Sequence, residues 1–326
     1  MSKTPTSADV ARRAGVSKWT VIRAFTPGAQ IAPDTRERVL EAAAALSYQP
    51  NLLARSLATK RTNLIGILVD DFANPYKLPT LERLTGALQS NGMLGVLINI
   101  NRDYDHVAAI ANARQRQLDA IVLFGTAFHD DTITSADIPI YVLARDSTIS
   151  SIPSVTCNAE RAMEEICAHL EKRGYRRPGF MAGPRTVSTA LGRRRRFADF
   201  WKKRGLPLAA ELDAARYDRH TAAAALRAYL EDTPPTERAD VLMCENDILA
   251  LGALDVARNE FGLAVPDDLA IIGYDDIDFS GMAGFNLTTY RQPYEQMVDT
   301  LVDMLMGRRP SQTVRLPGRL VARATG

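Results

Sequence analysis

Ser7-Ala8-Asp9-Val10-Ala11-Arg12-Arg13-Ala14-Gly15-Val16-Ser17-Lys18-Trp19-Thr20-Val21-Ile22-Arg23-Ala24-Phe25 reads as a short helix, a tight turn at Gly15 and a second short helix opened by Ser17. A Ser at that position caps a helix because its side-chain oxygen accepts an N–H group that has no partner in the first turn. Two short helices joined in this way form a helix-turn-helix, which lays its second helix in the major groove of DNA. Val21 and Phe25 are four residues apart and point inward, leaving Lys18, Trp19, Ile22 and Arg23 on the other face. Arg23 offers a guanidinium fork to guanine O6 and N7, a contact worth ~1–3 kcal/mol of discrimination. Lys18 can do similar work or hold a phosphate. Trp19 can press an apolar face on thymine methyls, or it can serve as a core or dimer contact.

Outward from this stretch, Pro33 suits a first helical position, where a missing N–H costs nothing. The apolar residues Val39, Ala42, Ala43 and Leu46 then form one stripe between Asp34 and Ser47. This third helix is expected to close a core with Val10, Ala14, Val21 and Phe25. Residues 1–62 hold ten Lys or Arg against four acids, a surplus of +6, whereas the 326-residue chain carries only +2. A basic head on a mildly acidic body fits a protein that touches phosphates with one end. From Asn51 to about Thr59 the residues favour helix, but so short a helix is marginal alone in water. Leu52, Leu53 and Leu57 are unusual for a solvated linker and suggest a segment that packs on a partner once formed.

From Leu64 the pattern changes. Apolar β-runs fall at 64–69, 95–98, 120–124 and 140–143, and a second series at 178–182, 240–243 and 269–273. Helical stretches are expected between them, at 159–173, 190–204, 221–231 and 246–261. Continuous apolar strands alternating with helices imply parallel sheets covered on both faces. Two such series imply two α/β subdomains, with a ligand cleft beyond the carboxyl ends of their strands.

No apolar run approaches the ~20 residues of a membrane span. Met1-Ser2-Lys3-Thr4-Pro5-Thr6 has no apolar segment behind it, so a cytoplasmic location is expected. Cys157, Cys167 and Cys244 are odd in number and widely spaced, which argues against a disulfide framework and a zinc site. Neither a metal nor a cofactor is expected. No Gly-x-Gly-x-x-Gly follows a first strand and no phosphate loop is present, so an enzyme is the weaker alternative. A solute-binding protein is the other alternative, opposed by the basic head.

The sequence resembles the lactose/galactose-repressor family of bacterial transcription factors along almost its whole length. The likeness is carried by the run from Asp9 to Arg23, Thr35-Arg36-Glu37-Arg38-Val39, Tyr48…Pro50-Asn51 and Ala54-Arg55-Ser56-Leu57. The body adds Asn74-Pro75-Tyr76, Gly183-Pro184, Asn246-Asp247, Val265-Pro266-Asp267-Asp268, Gly273-Tyr274-Asp275-Asp276 and Leu287-Thr288-Thr289…Arg291-Gln292-Pro293. The resemblance implies an all-α three-helix head (1–49), a hinge helix and linker (50–62) and a two-subdomain α/β body like periplasmic binding proteins (63–326). In that body the N-subdomain takes about 63–158 and 290–320, and the C-subdomain about 159–289. It implies a homodimer on pseudo-palindromic operator DNA, controlled by a small sugar, sugar acid or sugar phosphate and without a membrane partner. DNA contacts are implied at Ser17, Lys18, Trp19, Thr20, Arg23, Asn51, Ala54 and Leu57, with Leu57 wedged into the minor groove. Effector contacts are implied at Asp71, Phe72, Tyr76, Thr189, Arg193, Tyr217, Asn246 and Asp275. Two departures stand out: Ile22 replaces the family's usual Ser, and Ala144 stands where sugar-responsive relatives often carry an acid.

Overall fold

The computed structural model describes residues 5–26, 28–49, 61–70, 72, 74–100, 106–125, 138–184 and 191–326. The chain divides into two compact units, Met1–Thr62 and Asn63–Gly326.

The first unit has three described helices: α1 (Ser7–Ala14), α2 (Lys18–Ala24) and α3 (Pro33–Ala45). At the start of α1 the Asp9 carboxylate accepts from the Thr6 N–H (2.9 Å) and the Thr6 hydroxyl (2.7 Å). Gly15 ends that helix at φ 65°, a left-handed conformation that glycine adopts without steric cost. Ser17 caps α2, its Oγ accepting from the Thr20 N–H at 3.1 Å. Val10, Ala11, Val21, Ala24, Val39, Ala42 and Ala43 form the buried core, with Ala14, Phe25 and Leu46 packed on its margin. Arg36 reaches back from α3 to the carbonyls of Ala24 (2.6 Å) and Ala29 (2.9 Å), fixing the connection between α2 and α3.

The second unit begins with β1 (Leu64–Val69), α4 (Lys77–Ser90), β2 (Leu94–Asn99), α5 (His106–Gln115), β3 (Ala120–Phe124), β4 (Ile140–Leu143) and β5 (Ser154–Cys157). There follow α6 (Ala159–Arg173), β6 (Pro178–Ala182), α7 (Arg193–Lys202), β7 (Ala210–Asp213), α8 (Arg219–Asp232), β8 (Val241–Cys244), α9 (Asp247–Asp255) and β9 (Ala270–Ile272). The chain closes with β10 (Thr289–Arg291), α10 (Tyr294–Leu305), β11 (Val314–Leu316) and β12 (Arg319–Val321).

Two parallel sheets result, with strand orders β11-β5-β4-β3-β1-β2 and β7-β6-β8-β9. In each the order reverses beside the first strand laid down, between β1 and β3 and between β6 and β8. Such reversals open a crevice at the carboxyl ends of the strands. Central strands such as β1 and β3 are buried along nearly their whole length, which is why their sequences are unbroken apolar runs.

The chain passes between the subdomains three times. It leaves the larger sheet after β5 for α6, which packs on α7. It returns through β10 to α10, which packs on α4. After β11 it runs through β12, antiparallel to β10, to a C-terminal tail in which the Thr325 carbonyl accepts from the Ile271 N–H. The helix expected over 246–261 is an α-helix only to Asp255 and continues as a π-helical turn, Val256–Glu260. The helix expected from residue 190 starts at Arg193, after Gly192 at φ 66°.

Candidate functional site

Two regions carry chemistry-bearing side chains, one in each unit. In the first unit, α2 turns Val21 and Ala24 into the core and leaves Lys18, Trp19, Ile22 and Arg23 exposed. Trp19 is 64% and Ile22 42% exposed, so Trp19 has no part in the core of this unit. The Ser17 and Thr20 hydroxyls bond one another at 2.9 Å at the start of the same helix. The Arg23 guanidinium folds back onto the Gln30 carbonyl. Asn51, Ala54 and Leu57 lie outside the described residues.

In the second unit, a small cleft lies between the subdomains. Tyr76, Arg193, Tyr217, Asn246 and Asp275 all line it. Phe72 is exposed and is not part of its lining, and Asp71 and Thr189 fall outside the described residues. Ala144, at φ 69°, lines the wall directly after β4.

Strand ends position these groups. Asn246 follows β8 and caps α9, its Oδ1 accepting from the Leu249 N–H at 3.1 Å. Capping and cleft lining are thus combined in one side chain. Arg193 opens α7, is buried, donates to the Glu245 carbonyl at 2.7 Å and stacks 3.7 Å from the Tyr274 ring centre. Burial opposes its charge, but Tyr274, Asp275 and Glu245 more than compensate and keep the guanidinium protonated. The Tyr274 ring stacks in turn on Tyr290, with centroids 5.4 Å apart.

Several groups in or behind the cleft wall have no role assigned from the sequence. Glu245 is fully buried, and its Oε2 accepts from the Gly183 N–H and the Tyr217 hydroxyl, both at 2.9 Å. Burial first, and the Glu245 charge second, push the Tyr217 phenol well above its ordinary pKa. Lys77 is buried in an ion pair with Asp70 and donates to the carbonyls of Asp70 (2.8 Å) and Phe124 (3.2 Å). It therefore ties the ends of β1 and β3 together. Arg145 is buried on the carbonyls of Gly125 (2.9 Å) and Asp146 (3.0 Å). Gln292 donates from Nε2 to Asp275 Oδ1 at 2.7 Å. For three of them a place within two residues of a strand end was the available signal: Arg145 follows β4, Glu245 follows β8 and Gln292 follows β10. Among the described residues no group of three or more His, Cys, Asp or Glu is placed to hold a metal ion.

The chain's similarities fit this division. Residues 6–51 match the family model described as bacterial regulatory proteins, lacI family, and residues 167–325 match the periplasmic binding protein-like domain. The chain is 28% identical over 330 residues to the HTH-type transcriptional repressor PurR of Photorhabdus laumondii, covering 98% of this chain and 96% of the relative. PurR of Proteus mirabilis is also 28% identical, over 333 residues and the same shares. Among solved structures, the lac repressor dimer bound to operator and the anti-inducer ONPF superimposes with a TM-score of 0.85 at 25% identity, over 99% of each chain. The complex of the transcriptional regulator CelR with cellobiose gives 0.71 at 25% identity, over 99% of this chain and 100% of that one.

Proposed function

Because the chain belongs to the LacI family of bacterial regulatory proteins, we propose that it is a homodimeric repressor whose hold on a pseudo-palindromic operator is set by a carbohydrate-like effector in the cleft. The observation that carries this reading is convergence. Tyr76 comes from the N-subdomain, Arg193, Tyr217, Asn246 and Asp275 from the C-subdomain, and all five line one cavity. A ligand touching both sets favours one angle between the subdomains, and it shifts that equilibrium only through its different affinity for the two states. The relatives support the parts of the reading: one is a dimer on operator with an anti-inducer, another a complex with cellobiose.

The protein acts as a regulator and not as an enzyme, and it works in the cytoplasm, where its operator is. No helix among the described residues is long and apolar enough to cross a membrane. Operator DNA is read by Lys18, Trp19 and Arg23 on the exposed face of α2, with Ser17 and Thr20 at its start. Asn51, Ala54 and Leu57 contribute from the segment that follows the head. Effector binding releases the operator. A thermal-shift screen of sugars, sugar acids and sugar phosphates identifies the effector, since a ligand at 100 times its Kd adds ~2.7 kcal/mol of stability. Operator titration with and without the hit then tests the coupling. Operator affinity that no cleft ligand changes would defeat the proposal.

A further inference from the structure

Asp275 lines the cleft, and Asp276 beside it turns the other way, towards the strands that cross between the subdomains. The backbone of both lies at positive φ, 126° and 57°, although neither is glycine. Such conformations are costly for a residue with a side chain and persist only where the surroundings over-determine them. Here the surroundings are the crossing strands. The Asp275 N–H donates to the Tyr290 carbonyl at 3.0 Å, and Gln292 Nε2 donates to Asp275 Oδ1 at 2.7 Å. The Asp276 carboxylate is 2% exposed and pairs with Arg291 through Oδ2 and with Arg323 through Oδ1, the latter at 2.7 Å. Arg291 belongs to β10 and Arg323 follows β12. Arg323 donates in addition to the Leu287 carbonyl at 2.7 Å.

Strands β10 and β12 pair with one another, Arg291 opposite Arg319. One carboxylate therefore fastens both to the C-subdomain. Beyond that point one strand leaves through Gln292-Pro293 into α10, and the other arrives from β11 through Pro317-Gly318. A Cβ on Gly318 would lie 2.3 Å from the Arg291 carbonyl oxygen, so the two passages run side by side. A hollow lined by Asp276, Arg291, Pro293, Pro317 and Arg319 leaves room next to them. Hinge motion needs only a few such element-terminal residues to absorb the change in backbone angles. Resting on the effector reading above for the motion itself, we infer that Asp276 is a positioning residue that fastens β10 and β12 to the C-subdomain, so that the subdomains turn about Pro293 and Pro317-Gly318. Asp275, the next residue, is thereby held on the C-subdomain side of the pivot.

The test needs neither effector nor operator. Spin labels on Asn112→Cys and Lys202→Cys, at exposed positions of α5 and α7, report the distance between the subdomains in the full-length protein. The native Cys157, Cys167 and Cys244 are buried and should stay unlabelled. Labelled chain is diluted in unlabelled chain, so that only distances within one chain are read. The wild-type background should give one narrow distribution. Asp276→Asn should broaden it or move its mean outside the wild-type width, and Arg323→Met should do the same to a lesser degree. Both variants should melt lower, because each breaks a largely buried ion pair. A lower Tm with the distance distribution unchanged would show a merely stabilising pair and overturn the inference, as would a wild-type distribution as broad as the variants'. If Asp276→Asn does not fold, Arg323→Met alone decides between these outcomes. Failure of the repressor reading would show separately, as operator affinity that no cleft ligand changes, whatever the distances.

Discussion

At the scale of single residues, backbone and side chain meet in the cleft wall with little room. A Cβ placed on Gly183 would lie 2.2 Å from Tyr217 Cε1, so Tyr217 keeps its place on the wall only because residue 183 has no side chain. Gly183→Ala should displace the ring, break its bond to Glu245 and cost about 1–3 kcal/mol, the usual range for overpacking. Chemical denaturation measures the loss, and effector titration should show weakened binding in the same variant. Asp247 is a second such point. Its fully buried carboxylate accepts from the Ile277 N–H (3.0 Å), the Ser280 hydroxyl (2.6 Å) and the Thr289 hydroxyl. It thereby joins α9 to β10, which carries the chain between subdomains. Asp247→Ala strands three donors at once and should cost about 3 kcal/mol or more. A variant as stable as wild type would show that these donors find other partners.

At the scale of elements, α2 is amphipathic over only seven residues, and its two faces should respond differently. Trp19→Ala should leave the melting of the head nearly unchanged, because a surface substitution usually falls within about 0.5 kcal/mol. The same change should weaken operator binding. Val21→Ala, at a position with 1% exposure, should destabilise the head instead. Equal operator affinity for Trp19→Ala and wild type would remove Trp19 from the DNA-reading surface. This helix was legible in the sequence because its cap, turn glycine and inward-facing pair all follow local rules. Strands β1, β3, β4, β6 and β8 were legible because burial on both faces leaves an unbroken apolar run. The strands β5, β7, β10, β11 and β12 gave no such run. They are three or four residues long and several are half-exposed, and pairing with distant partners such as β5 with β11 defines them. The π-helical end of α9 likewise has no periodicity that distinguishes it from an α-helix.

At the scale of the whole second unit, the cleft is assembled from strand ends far apart in sequence. Tyr76, Arg193, Tyr217, Asn246 and Asp275 were assigned through the family resemblance, and the fold brings those five together. Glu245, Lys77, Arg145 and Gln292 were not assigned, because a place near a strand end is a weak signal and the partners that hold a buried charge or amide there show only in the fold. Those partners, Gly183, Asp70, Gly125 and Asp275, are set by topology and not by local sequence. Arg193 connects most of this wall, holding the Glu245 carbonyl and stacking on Tyr274. If occupancy of this cleft controls the grip on DNA, operator affinity against effector concentration, for wild type and Arg193→Ala, reads that control directly. Wild-type affinity should fall as effector rises, by ~1–3 kcal/mol at saturation. Arg193→Ala should bind operator normally without effector and fail to respond to it. A variant that still releases operator at the wild-type effector concentration would show that the cleft does not hold the controlling ligand.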